Sequence, residues 1–210
     1  MRPDTIILAF DTSAAHCAAA LLLSDGTCLI RQEDMAKGQA ERLFPFLEDL
    51  LTEAGIGWKS LTAIGVGTGP GNFTGVRISV AAARGLALSL GIPAIGVTRM
   101  EAVAHGLPRP VTVVEEARRG EVYVQRFDSD GPHPACIVPA DALKIDGAVT
   151  GSGVRSDSHS TAAAPFALAE AIALIAATRL DTAYPRPAPF YLRGADAAPP
   201  SDPPPVILDA

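Results

Sequence analysis

The reading of the fold turns on residues 63–91, AIGVGTGPGNFTGVRISVAAARGLALSLG. Ala63–Val66 has the length and apolarity of a buried strand, Gly67–Gly75 is a glycine-rich turn, and a long helix of small and apolar residues follows. A strand, a glycine loop and a helix in this order can bring backbone N–H groups against a phosphate. The same unit can serve only as a tight corner. No lysine lies in or near the loop, so it is not a P-loop.

Upstream, Thr5–Phe10 is an apolar run ending at Asp11-Thr12-Ser13, and Cys17–Leu23 is a second. Ser24-Asp25-Gly26 is a hairpin signal, and Thr27–Gln32 returns as a third strand, so an antiparallel meander is expected. Gln39–Ala54 reads as a helix with Leu43, Leu47, Leu50, Leu51 and Ala54 at helical spacing and Glu41, Glu48, Asp49 and Glu53 opposite. Pro45 is tolerable if it falls within the first turn, and Gly55 suits the C-cap. Phe44 and Phe46 widen the apolar arc beyond one stripe, which points to packing on two sides.

Downstream, Pro93–Val97 is a strand, Arg99–His105 a short helix, and residues 106–110 a subdomain boundary. Val111–Glu115 and Glu121–Phe127 read as strands around the turn 117–120; residues 128–161 hold only short apolar runs. Pro165–Arg179 is a helix apolar around most of its circumference, and the prolines after Asp181 oppose regular structure. Three antiparallel strands followed by parallel αβ units make an α/β pattern. The expected division is 1–106, a smaller unit 107–180 with the final helix, and a proline-rich tail 181–210.

The charge of −6, the pI near 5.2 and the absence of a Lys/Arg run give no electrostatic case for nucleic-acid binding by this chain alone; a partner would have to supply the basic surface. Cys17, Cys28 and Cys136 have no CxxC spacing and read as reduced core thiols of a cytoplasmic protein. The first strand follows the opening residues so closely that no signal peptide is expected. The apolar window Ile78–Val97 is long enough for a membrane span, but Arg84 and the Gly91-Ile92-Pro93 break favour a core helix followed by a strand.

His16, His105, His133 and His159 have no partner at metal-ligand spacing, and no metal is expected. Ser13, Ser79 and Ser152 lack a nucleophile elbow, and no catalytic residue is assigned. The phosphate reading rests on Asp11, whose carboxylate could orient hydrated Mg²⁺, with Thr12, Gly69, Gly71, Asn72 and Thr74 as the loop candidates. Against it, the loop after Asp11 has no glycine to admit a phosphate. The helix is more informative. Thr74, Arg77, Ala81, Arg84 and Leu88 form one stripe, and Val76, Val80, Ala83, Ala87 and Leu90 another. Two arginines amid small residues fit a protein–protein interface better than a sealed core.

AFDTS (9–13), ERLFP (41–45), GTGPGNFTGVRISVAAARGLAL (67–88), GIPAIGVTRMEA (91–102), EARRGEVY (116–123) and FYLRG (190–194) stand in the order of the TsaB (YeaZ) family's motifs. The chain resembles that family over nearly its whole length. The resemblance implies a cytoplasmic protein with an actin-like (ASKHA, ribonuclease H-like) fold of two lobes, the second reduced. It implies a non-catalytic paralogue of TsaD, the enzyme that transfers threonylcarbamoyl to an adenosine in the tRNA anticodon loop. Such proteins bind TsaD, join the ATPase TsaE in one complex, form homodimers, and meet tRNA only through that complex. Older usage calls them M22-type glycoproteases.

Two departures matter. Gln39 stands where members often carry a histidine, which leaves metallopeptidase chemistry as the least favoured alternative, and Glu116-Ala117-Arg118 replaces the usual DAR. No cofactor is expected of the chain itself, with ATP or ADP at a joint interface with TsaD, or an ATP-binding transferase or ATPase, as the alternative. The expected partner face comprises Arg42, Leu43, Phe46, Leu47, Leu50, Arg77, Val80, Ala81 and Arg84.

Overall fold

The computed structural model of the chain describes residues 4–154 and 162–193. β1 (Ile7–Asp11), β2 (His16–Leu22) and β3 (Cys28–Asp34) form the antiparallel meander. α1 (Gln39–Glu53), β4 (Ala63–Gly67), α2 (Phe73–Leu90) and β5 (Ala94–Val97) follow. β4 pairs in parallel with both β1 and β5, so the first sheet has the order β3-β2-β1-β4-β5. Antiparallel across its first three strands and parallel beyond, this is the order of the actin-like, ribonuclease H-like fold.

Because both faces of β1 are buried, its period-two alternation sends side chains into two cores. Leu8 and Phe10 meet α1 and α2 on one face, with Phe46, Leu47, Leu50, Val76, Val80 and Ala83. Ile7 and Ala9 meet α4 (Leu168–Arg179) on the other, with Ala169, Ile172, Ala173 and Ala176. A Cβ on Gly65 would lie 3.2 Å from Ile172 Cγ2 and 3.3 Å from Ala176 Cβ, so the bare β4 backbone there is what lets α4 settle on the sheet. α4 therefore belongs to the first sheet. The grouping of residues 107–180 as one unit with its own final helix is corrected accordingly, since the small residues of α4 match a surface built of Ala and Gly.

α3 (Arg99–Ala104) is launched by a capping box, with Thr98 Oγ1 accepting from the Glu101 N–H (3.2 Å) and Glu101 Oε2 accepting from the Thr98 N–H (2.8 Å). It leads into the second sheet: β6 (Val111–Glu116), β7 (Glu121–Asp128), β8 (Gly131–Pro132), β9 (Cys136–Pro139) and β10 (Val149–Thr150). The order is β10-β6-β7-β8, with β9 on β7. Met100 and Ala104 of α3 pack with Val111, Val113 and Phe127. Ala102 of the same helix faces the α4 core, so α3 joins the two sheets.

α2 is long and apolar enough by composition to cross a membrane, but it carries Arg77 and Arg84 and lays Val76, Val80 and Ala83 on the first sheet. Residues 181–193 contain no helix or strand, as the prolines require. They are nonetheless packed. Pro187 is buried beside Gly96, and the Phe190 N–H donates to the Thr68 carbonyl (2.8 Å).

Candidate functional site

A cleft of about 1040 Å³ opens where the C-terminal ends of β1 and β4 face the end of β6 and the β6–β7 turn. On its first-sheet side the chain must turn twice, after Asp11 and after Gly67. Asp11 sits at the end of β1 and is 1 % exposed. Its Oδ1 accepts from the Ser13 N–H (2.9 Å) and Ser13 Oγ (2.8 Å), and His16 Nε2 lies 3.0 Å away. Burial works to raise the Asp11 pKa, but the His16 and Ser13 hydrogen bonds and the Arg99 charge outweigh it, leaving the carboxyl below its ordinary value. Asp11 Oδ2 is buried with no hydrogen-bond partner among the described residues and faces Gly67, where any Cβ would overlap it.

The glycine loop is locked against the loop after Asp11. The Asn72 N–H donates to the Ser13 carbonyl (2.6 Å), and Thr12 Oγ1 donates to the Gly75 carbonyl (2.7 Å). A Cβ on Gly71 would overlap the Ser13 carbonyl, and one on Gly75 the Thr12 carbonyl. Asn72 Oδ1 accepts from the Thr74 and Gly75 N–H groups, capping α2 with its own side chain. The Thr68 N–H donates to Val97, and the Gly69 carbonyl accepts from Arg99. The structure thus brings together all six candidates, Asp11, Thr12, Gly69, Gly71, Asn72 and Thr74. Most of their polar groups are engaged by neighbours, Asp11 Oδ1 by Ser13 and His16, Thr12 by Gly75, Asn72 by Thr74 and Gly75, and the Gly69 carbonyl by Arg99, while Asp11 Oδ2 stays buried and unpartnered. Among the described residues no three His, Cys, Asp or Glu side chains cluster as metal ligands.

Residues that sequence reasoning left unassigned line the far side. Arg99 pairs through Nε with the buried Glu115, whose Oε1 also accepts from the Ser152 N–H (3.0 Å). The sequence reading had singled out Glu116; strand alternation turns Glu115 inward and leaves Glu116 exposed. Across the mouth runs the segment Phe190–Arg193. Tyr191 stacks on Phe73 (centroids 5.3 Å apart, 29° between planes) and accepts a hydrogen bond from Arg77 Nε (2.9 Å). Arg77 itself lies 3.8 Å from the Phe73 ring centre. Arg193 pairs with Glu121 and donates to the Arg118 carbonyl (3.3 Å). The motifs EARRGEVY and FYLRG contain these residues, but only the fold shows that they meet.

The expected partner face is divided by the structure. Leu43, Phe46, Leu47, Leu50 and Val80 are buried in the core between helices and sheet, and they are corrected from interface to core residues. The leucine stripe of α1 has a sheet to cover, and β1–β4 claims it first. Arg42 is half-buried, its guanidinium bonded to both Glu33 oxygens (2.7 and 2.6 Å) and to Asp49 (3.0 Å). Arg77, Ala81 and Arg84 remain exposed, in line with Thr74 and with Leu88, which is 86 % exposed.

The family model "TsaD: tRNA N6-adenosine threonylcarbamoyltransferase" matches residues 30–184. The Escherichia coli tRNA threonylcarbamoyladenosine biosynthesis protein TsaB is 38 % identical over 129 residues, 59 % of this chain and 55 % of that protein. The chain thus spans about half the length of curated relatives such as this one. An uncharacterized Mycobacterium bovis protein is 33 % identical over 68 % of this chain and 72 % of its own length. The solved structure of YeaZ from Pseudomonas aeruginosa superposes with a TM-score of 0.71 at 28 % identity, covering 90 % of this chain and all of that one. With a matching family model over most of its length and the fold of YeaZ, the chain belongs to the TsaB (YeaZ) family.

Proposed function

We propose that this chain works in threonylcarbamoyladenosine biosynthesis as a non-catalytic subunit that binds TsaD in the cytoplasm, with TsaE in the same complex and tRNA met only through it. The observation that carries the reading is the exposed α2 stripe Thr74, Arg77, Ala81, Arg84 and Leu88, on a chain similar to a protein named for that biosynthesis. Small residues let a second helix approach closely, two arginines supply hydrogen-bonding rims, and Leu88 supplies apolar area. The mutual engagement of the Asp11 and glycine loops supports a structural role for them rather than a chemical one. In isolation the same face would support a homodimer.

The test is co-purification and light scattering with the cognate TsaD. Ala81→Arg and Leu88→Asp place charge on the stripe without touching the core, and each is expected to weaken the complex by at least about tenfold. Unchanged complex formation in both variants would sink the assignment. A second reading, an ATP-binding actin-like protein, is favoured only by the cleft, whose size suits a nucleotide and whose walls carry Arg99, Arg118 and Arg193. Calorimetry of Mg-ATP against the isolated chain separates the two: the subunit reading expects no heat of binding.

A further inference from the structure

We propose that Phe190–Arg193 is a latch that holds the two sheets together across the cleft and, through Tyr191, competes with a partner for Arg77 on α2. The four residues make contacts of different chemistry on the two sides. On the first-sheet side, the Phe190 N–H donates to Thr68 O, the Tyr191 ring stacks on Phe73, and Tyr191 Oη accepts from Arg77. On the second-sheet side, Arg193 holds Glu121 at the start of β7 and the Arg118 carbonyl in the preceding turn. One short extended segment is thus bonded to both walls of the cleft, and all four of its residues line it.

Two properties make this a device rather than a piece of core. The clamp sits at the surface, with Phe73 49 % and Tyr191 44 % exposed, so opening it uncovers little apolar area and costs little. Regular strands tie the rest of each sheet together, whereas Phe190–Arg193, beyond the buried Pro187, lies in no strand and is held by these anchors. Arg77 belongs at once to the latch and to the exposed α2 stripe. A helix docking along Ala81 and Arg84 would meet Tyr191 at the N-terminal end of α2, and using the Arg77 guanidinium would require Tyr191 to release it. This second consequence rests on the function proposed above; the coupling between the sheets does not.

Hydrogen–deuterium exchange on the full-length chain tests the latch without any partner. Arg193→Ala removes only the second-sheet anchor, and Tyr191→Ala only the side-chain part of the first-sheet one, leaving the Phe190–Thr68 hydrogen bond. A latch requires crossed effects: Arg193→Ala should speed exchange in residues 68–77, and Tyr191→Ala in residues 118–123, each on the order of tenfold. Variants that loosen only their own contact would show ordinary local packing and overturn the proposal. Should Tyr191→Ala fail to fold, Tyr191→Phe keeps the ring, loses the Arg77 hydrogen bond, and should show the same crossed effect at smaller size. Binding to TsaD then tests the competition. Tyr191→Phe and Tyr191→Ala are expected to bind several-fold more tightly than the parent, and equal or weaker binding overturns that part. If the parent chain does not bind TsaD at all, the proposed function fails while the exchange experiment still decides the latch.

Discussion

Asp11 shows how fully the neighbours of a strand-end carboxylate can occupy one of its oxygens. At the end of the first strand of an α/β protein, an acidic residue is well placed to orient a cation. Here its Oδ1 answers two donors of Ser13 and the ring of His16, three donors that burial would otherwise leave unsatisfied. Asp11→Asn at neutral pH is expected to cost about 1–3 kcal/mol in urea unfolding, because the oxygen that takes the three donors loses its charge and the amide NH₂ is buried where Oδ2 has no partner. The pH dependence follows from the depressed folded value. The stabilisation is complete above the ordinary aspartate value of 3.8 and is lost as pH falls through the lower folded one. The gap between parent and Asp11→Asn should therefore close in acid below about pH 4. A gap constant from pH 7 to pH 3 would show that charge plays no part. The sequence carries Asp11 and Ser13 plainly, but His16 is five residues away, and only the β1–β2 turn brings its ring back to the carboxylate.

At the scale of elements, α2 was legible in detail because its two stripes differ in composition. Val76, Val80, Ala83 and Ala87 face the sheet, and Thr74, Arg77, Ala81, Arg84 and Leu88 face outward, as helical spacing requires. α1 was legible as a helix but not in its destination: a leucine stripe fits a sheet and a partner helix equally well, and periodicity does not say which. Leu47→Ala should accordingly cost about 2–5 kcal/mol of stability, as for a core leucine, whatever it does to association. Two glycines of α2 should respond in opposite directions. A Cβ at Gly75 would overlap the Thr12 carbonyl, so Gly75→Ala should destabilise by more than about 1 kcal/mol by forcing the two loops apart. Gly85 is exposed with nothing within 4 Å of such a Cβ, so Gly85→Ala should stabilise by up to about 1 kcal/mol from helix propensity. Thermal unfolding of the two variants side by side decides this, and shifts of the same sign would contradict the packing described for the loop.

For the whole molecule, the meander β1–β2–β3 and the β4–β5 pair join strands that are neighbours in sequence, whereas β4 passes over β3 and β2 to pair with β1. What could not be anticipated is the return of α4 from the far end of the chain to the first sheet. Its pattern, apolar all round, signals burial but names no partner, and the small residues of β1, β2 and β4 that receive it read as ordinary strand. The consequence is that the boundary near Gly106, clear in composition, is not a boundary in stability. Residues 1–106 alone would bare the face formed by Ile7, Ala9, Ala18, Ala20, Leu22 and Ile95. Losing the cover over its three large side chains forfeits about 1.5–3 kcal/mol each, comparable with the 5–15 kcal/mol by which a typical domain is stable. A fragment of residues 1–106 is therefore expected to lack a cooperative thermal transition, and co-expression with residues 107–210 should restore one, since α4 then covers the sheet in trans. The full-length chain should unfold in a single calorimetric transition, because α3 packs Met100 into the second-sheet core and Ala102 into the α4 core. A fragment of residues 1–106 that melts cooperatively by itself would show that the first sheet does not need α4, and would return the division of the chain to the place where its composition changes.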